Sequence, residues 1–81
     1  MKKLSKITLN MAIRYNVELC DAIKNELHII IDPENNDCAS VAYVLEGEAY
    51  HLLYIWDNSI KYPEVLEDEK AIRDLIKLMA K

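Results

Sequence analysis

The chain has 81 residues, of which 52% are hydrophobic and 30% charged, with 1 glycine and 2 prolines. That balance excludes a disordered chain, and the length fits one domain with a modest core. No apolar run approaches the roughly 18 residues that span a bilayer, and the basic start lacks the apolar stretch of a signal peptide. We therefore expect a cytoplasmic protein without membrane insertion, in which Cys20 and Cys38 are free thiols.

The net charge of −4 is unevenly distributed along the chain. Residues 1–31 and 70–81 are both basic on balance, whereas residues 32–69 carry ten acidic side chains and only one basic side chain, Lys61. Such an acidic section disfavours direct binding to nucleic acid and favours a basic partner through electrostatic steering. The alternative is that the acidic excess only keeps a small protein soluble.

The first third of the chain shows two competing periodicities. Apolar residues fall at every second position from Ile7 to Leu19, which is typical of a strand, and a stripe at helical spacing crosses the same residues. We favour a helix, bent or ended near Asn16, because asparagine tolerates the left-handed conformation that follows many helices. A strand up to Tyr15 is the alternative, and residues 18–26 are predicted to be helical in either case. A helix with apolar residues on two sides would be deeply buried or shared with a second subunit.

The β-branched run at residues 27–32 predicts a strand that stops before Pro33. The last element is predicted as a helix that begins at Pro63, with acidic residues near its start and Lys77 near its end, as the helix macrodipole favours. Its predicted apolar face consists of Val65, Ile72, Leu75, Ile76 and Met79.

Residues 39–57 predict a β-hairpin around the single glycine of the chain. A two-residue turn at Gly47 and Glu48, with Gly47 at positive φ, would place Glu46 opposite Ala49. Strict alternation along both strands then brings seven large side chains to one face, namely Val41, Tyr43, Leu45, Tyr50, Leu52, Tyr54 and Trp56. We predict that helices pack on the opposite face, around Ala42, and leave the aromatic face available.

Together these elements predict an α+β fold in two layers. It consists of an N-terminal helix (bent or split near Asn16), a three-stranded antiparallel meander and a C-terminal helix, in one domain over residues 1–81.

Motifs for catalysis and ligand binding are missing from the sequence. The oxygen-rich loop at residues 32–37 starts like a calcium loop, but Asp37 and Tyr43 occupy the positions that require glycine and glutamate. A chain with one glycine cannot build a phosphate-binding loop. We therefore expect that the protein is not an enzyme and binds no metal or cofactor. The potential zinc ligands lack the paired spacing of a zinc site; these are Cys20, His28, Cys38 and His51.

The sequence therefore predicts a small acidic interaction protein that occupies a surface of another, basic protein. An inhibitor, antitoxin, immunity protein or phage-type modulator fits this description. The predicted apolar anchors are Tyr43, Tyr50, Tyr54 and Trp56, because exposed aromatic residues with a polar group are enriched in binding hot spots. The predicted acidic contacts are Glu46, Glu48, Asp32, Glu34 and Asp37. The alternative is a homo-oligomeric structural or small-ligand-binding domain.

Overall fold

A computed structural model describes residues 4–31, 39–56 and 60–80. The order of its elements is α1 (Lys6–Arg14), β1 (Val17–Cys20), β2 (Glu26–Ile31), β3 (Ala39–Glu46), β4 (Ala49–Ile55), β5 (Val65–Leu66) and α2 (Glu69–Met79). The strands form one antiparallel sheet in the order β1-β2-β3-β4-β5. The predicted α+β class is confirmed, whereas the predicted three-stranded meander is wrong, because the described sheet has an additional strand at each edge.

The first additional strand, β1, replaces the helix that we predicted over residues 18–26. Helix α1 ends at Arg14, and Asn16 has a φ of 55°, as predicted for the residue that ends the helix. The chain then pairs with β2, from Val17 opposite Ile31 to Cys20 opposite His28. Pairing with this β-branched neighbour outweighs the weak helical preference of residues 18–26.

The second additional strand, β5, takes up residues that we predicted as the start of the last helix. Val65 and Leu66 pair with His51 and Tyr50, and α2 begins only at Glu69. The Asp68 side chain accepts a hydrogen bond from the backbone N–H of Ala71 at 2.9 Å. This N-cap stabilises the start of α2 at Glu69, because it satisfies a backbone donor of the first helical turn.

The hairpin of β3 and β4 has the predicted turn. Gly47 has a φ of 68°, and the pairing runs as expected from Glu46 opposite Ala49 to Tyr43 opposite Leu52. A β-bulge then interrupts the ladder, so that Tyr54 instead of Leu53 lies opposite Ala42. Leu53 is the extra residue, and every later side chain of β4 faces the side opposite to the predicted one.

The sheet therefore has two different faces. We call the face that packs against the helices the core face; its side chains include Val17, Leu19, Leu27, Ile29, Val41, Tyr43, Tyr50, Leu52, Ile55 and Leu66. The other face we call the open face; its side chains include Glu18, Cys20, Glu26, His28, Ile30, Ser40, Ala42, Val44, His51, Leu53, Tyr54, Trp56 and Val65.

Both helices pack on the core face, so the predicted packing on the Ala42 side is wrong. The buried cluster combines sheet residues such as Ile29 and Tyr43 with Ala12 of α1 and with four side chains of α2, Ile72, Leu75, Ile76 and Met79. These four belong to the predicted apolar face, whereas Val65 lies outside the helix. The larger side chains of the core face bury more apolar area than the Ala42 side offers.

In the described ranges, neither helix is long and apolar enough to cross a membrane.

A polar network joins the two helices. The Glu69 carboxylate of α2 accepts hydrogen bonds from the backbone N–H and hydroxyl of Ser5 and, at 2.6 Å, from the hydroxyl of Thr8, which is fully buried. Arg73 Nη1 donates to Thr8 Oγ1 at 3.1 Å and to Glu69 Oε2 at 3.3 Å. The Ser5 hydroxyl, followed by that of Thr8, lowers the pKa of Glu69, so this network favours the charged carboxylate.

Candidate functional site

The structure separates the four aromatic residues that we predicted to share one surface. Tyr43 is fully buried on the core face, and its hydroxyl donates a hydrogen bond to the carbonyl oxygen of Pro63 at 2.8 Å. Burial, with a smaller effect of Tyr62, raises the pKa of the Tyr43 hydroxyl. A buried and hydrogen-bonded tyrosine is part of the core, so its prediction as a contact residue is wrong.

Tyr50 also points to the core face, where it is half-buried and pairs with Leu45 of β3 and Leu66 of β5. Burial is the main cause that raises the pKa of its hydroxyl, and the nearby carboxylate of Asp21 adds to this effect. Tyr50 therefore lies at the margin of the core, on the opposite side of the sheet from Tyr54.

Tyr54 and Trp56 lie on the open face, because the bulge at Leu53 changes the side to which they point. Trp56 is 76% exposed, Tyr54 is 48% exposed, and Leu53 adds a third large apolar side chain that is 46% exposed. Val65 of β5 lies on the same face and is also exposed. These residues are the largest exposed apolar group on the described part of the sheet.

The predicted acidic contacts fall into two groups. Glu46 and Glu48 are exposed at the tip of the hairpin, one on each side of Gly47. Asp32, Glu34 and Asp37 lie outside the described residues. The structure also places two acidic residues that we had not predicted on the open face, Glu18 of β1 and Glu26 of β2.

At the centre of the open face, a row of cross-strand neighbours runs from β1 to β4. Cys20 lies opposite His28, His28 opposite Ala42, and Ala42 opposite Tyr54. The His28 and Tyr54 rings meet edge to face, with their centroids 5.9 Å apart. They meet above Ala42, which explains why this small side chain is fully buried although no described helix covers it.

The imidazole of His28 is held between two side chains. His28 Nε2 lies 2.9 Å from Glu26 Oε1, and His28 Nδ1 lies 3.4 Å from the Tyr54 hydroxyl. A carboxylate only accepts hydrogen bonds, so Nε2 carries the proton, and in the neutral ring Nδ1 accepts the long hydrogen bond from Tyr54. The chain from Glu26 through His28 to Tyr54 therefore orients the tyrosine ring on the open face.

This arrangement does not make His28 a general base for Cys20. Cys20 is a free thiol and a cross-strand neighbour of His28, but both ring nitrogens point to other partners. A base that activates a nucleophile lies within hydrogen-bond reach of it. Within the ranges that the structure describes, no three His, Cys, Asp or Glu side chains are placed to hold a metal ion.

Sequence reasoning missed Leu53, Glu18 and Glu26 as residues of this surface. Strict alternation places Leu53 opposite Ala42, on the side that we expected the helices to cover. The two glutamates could be placed only by recognising residues 17–20 as a strand paired with β2.

No protein-family model matches the chain, and comparison with curated proteins and with solved structures finds no similar protein.

Proposed function

We propose that this protein is an interaction module that binds another protein on the open face of its sheet. The single observation that supports this function is the exposure of Trp56 beside Tyr54 and Leu53, on a face that neither described helix covers. Aromatic residues of this kind are enriched in the energetic centre of interfaces. Inhibition or modulation of the bound protein is the role that best fits an 81-residue chain with this surface.

Contacts within the sheet hold parts of the proposed binding surface in place before a partner binds. The backbone of Trp56 donates a hydrogen bond to the carbonyl oxygen of Ser40 at 2.9 Å, so the residue is still anchored to β3 at the end of the hairpin. The Tyr54 ring is held by its contact with His28. Pre-ordered aromatic anchors lose little entropy on binding, which favours affinity. The exposed Glu46 and Glu48 at the hairpin tip would steer a basic partner towards this platform.

Site-specific photocrosslinking tests this function with a control that is built into the fold. A benzophenone amino acid replaces either Trp56 or Ile13, which are 76% and 77% exposed but lie on the sheet and on α1, respectively. In cells of the native host, we expect position 56 to form a crosslink with one partner protein and position 13 to form none. Tyr54→Ala should weaken the crosslink from position 56. Equal crosslinks from both positions, or none from position 56, would contradict the proposed surface.

A second candidate function is supported by the outer surface of α1. Ile13, Ile7 and Leu9 are all exposed, although α1 already packs on the core through Ala12 and Thr8. A helix with apolar side chains beyond its core stripe can pair with a second subunit. The protein would then be a homo-oligomeric structural or ligand-binding domain.

Light scattering after size-exclusion chromatography separates these two functions. A monomer at all concentrations supports the interaction module. A dimer that Ile13→Glu converts to a monomer, and that Trp56→Ala leaves intact, would support the second candidate.

A further inference from the structure

The two layers of the described fold carry opposite charge. The helices α1 and α2 hold five basic side chains, Lys6, Arg14, Lys70, Arg73 and Lys77, and only two acidic ones, Glu69 and Asp74. The five described strands hold no lysine or arginine, and their charged residues are Glu18, Glu26 and Glu46. On the described strands, a partner that approaches the open face therefore meets carboxylates and no lysine or arginine.

The aromatic side chains on the same face can also bind a cation. Tyr54 and Trp56 are two positions apart on one side of the chain, so their rings start about 7 Å from each other. The faces of tyrosine and tryptophan rings attract cations, and tryptophan does so most strongly. An arginine side chain uses both features, because its planar guanidinium stacks on aromatic rings and forms paired hydrogen bonds with carboxylates.

Building on the proposed function, we propose that the segment of the partner that binds the open face carries arginine, with guanidinium groups stacked on Tyr54 and Trp56. The guanidinium groups pair with Glu18 and with Oε2 of Glu26, whose Oε1 contacts His28 Nε2. The two glutamates lie on β1 and β2 and the two aromatic residues on β4, so the segment crosses the strands and carries more than one arginine. A second copy fits less well, because two open faces in contact would oppose their own carboxylates.

The chain supplies its own reporter for this interaction, because Trp56 is its single tryptophan. The probe is a blocked hexa-arginine peptide, compared with hexa-lysine of the same charge and with hexa-citrulline, the neutral isostere of arginine. We expect hexa-arginine to change the Trp56 fluorescence in a saturable manner and to bind more tightly than hexa-lysine. Hexa-citrulline should have no effect.

Two sets of variants locate the binding surface. Glu18→Gln with Glu26→Gln, and separately Tyr54→Leu, should each weaken binding of hexa-arginine by about three- to tenfold, as expected for exposed ion pairs and cation–π contacts. Glu67→Gln with Glu64→Gln is the matched control, because it removes the same charge from exposed residues outside the strands and should leave binding within about twofold. Thermal unfolding of each variant confirms that it is folded.

Four results would overturn the inference. Equal affinity for hexa-arginine and hexa-lysine would show that only net charge matters. An equal loss in the control variant would show that the open face is not the site, and a change in light scattering without saturation would show self-association. If hexa-arginine does not bind while position 56 still crosslinks to a partner, this inference fails and the proposed function stands. If position 56 forms no crosslink, the proposed function itself fails.

Discussion

The two faces of the sheet are built from the same strands, but the described helices cover only one of them. On the core face, Ile29, Val41 and Tyr43 are completely buried under the two helices. On the open face, Tyr54 and Trp56 remain exposed, and the ordered contacts are polar ones such as those of His28. Both faces carry large apolar side chains, so side-chain type alone does not tell which face forms the core. The position of the helices therefore decides whether a tyrosine of the sheet is buried in the core or remains exposed.

The largest difference in unfolding free energy is expected between substitutions of Tyr43 on the core face and Tyr54 on the open face. Tyr43→Ala should lower the free energy of unfolding by about 4 kcal/mol, because it leaves a large cavity and the Pro63 carbonyl without its donor. Tyr54→Ala should lower it by about 1 kcal/mol, the value of an exposed aromatic contact with His28. Urea unfolding followed by circular dichroism measures both. Similar losses in the two variants would mean that the open face is also part of the core.

The bulge can be tested by deletion. Removal of Leu53 restores regular pairing and keeps Tyr54 opposite Ala42, so we expect a change in unfolding free energy within about 1 kcal/mol. Removal of Ile55 instead places Trp56 opposite Val41 on the core face, and should cost about 3 kcal/mol through overpacking and the loss of a partly buried side chain that packs against the core. The same unfolding experiment compares the two. The bulge would lose its assigned role if the Leu53 deletion proved the more damaging of the two.

The layer of helices that covers the core face depends on Glu69. Glu69→Gln should destabilise the protein at pH 7 by about 2 kcal/mol, because it weakens the hydrogen bonds from Ser5 and Thr8. The pKa of Glu69 is lowered in the folded protein, so its carboxylate stabilises the fold at and above the usual glutamate pKa. This contribution is lost as the pH falls through the lowered pKa.

The unfolding free energies of wild type and Glu69→Gln should therefore converge in acid, which unfolding curves between pH 7 and pH 3 would reveal. Glu67→Gln, at an exposed position just before α2, is the control and should follow the wild type. A difference between wild type and Glu69→Gln that stays constant with pH would show that the charge of Glu69 is not involved.

The smallest change in unfolding free energy is expected for the turn between β3 and β4. Gly47→Ala should lower the unfolding free energy by about 1 kcal/mol, because Gly47 has a φ of 68° and the space around it is open, so only the backbone is strained. Gly47→Asn should cost less, since asparagine tolerates this conformation. Neither variant should change the emission of Trp56, and a shift towards shorter wavelengths would show that the turn controls which face the residue points to.

The sequence predicted the elements whose signals are local. Asn16 marks the end of α1, Gly47 positions the hairpin turn, and four side chains of α2, Ile72, Leu75, Ile76 and Met79, have the spacing that buries them. The acidic residues at the hairpin tip could also be predicted, because a turn places its neighbours in solvent. These features depend on residues that are close in the chain, and elementary conformational preferences are sufficient for them.

The two edge strands and the assignment of the faces depend on contacts between residues that are distant in the chain. Residues 17–20 follow both the strand and the helix periodicity, and they become a strand because β2 offers a partner. Strict alternation along β3 and β4 predicts that Tyr43 and Tyr54 share one face, yet one extra residue in β4 places them on opposite faces. Side chains alternate with a period of two, so a single inserted residue reverses every side chain beyond it. The binding surface that we propose exists because of that insertion and because both helices pack on the other face.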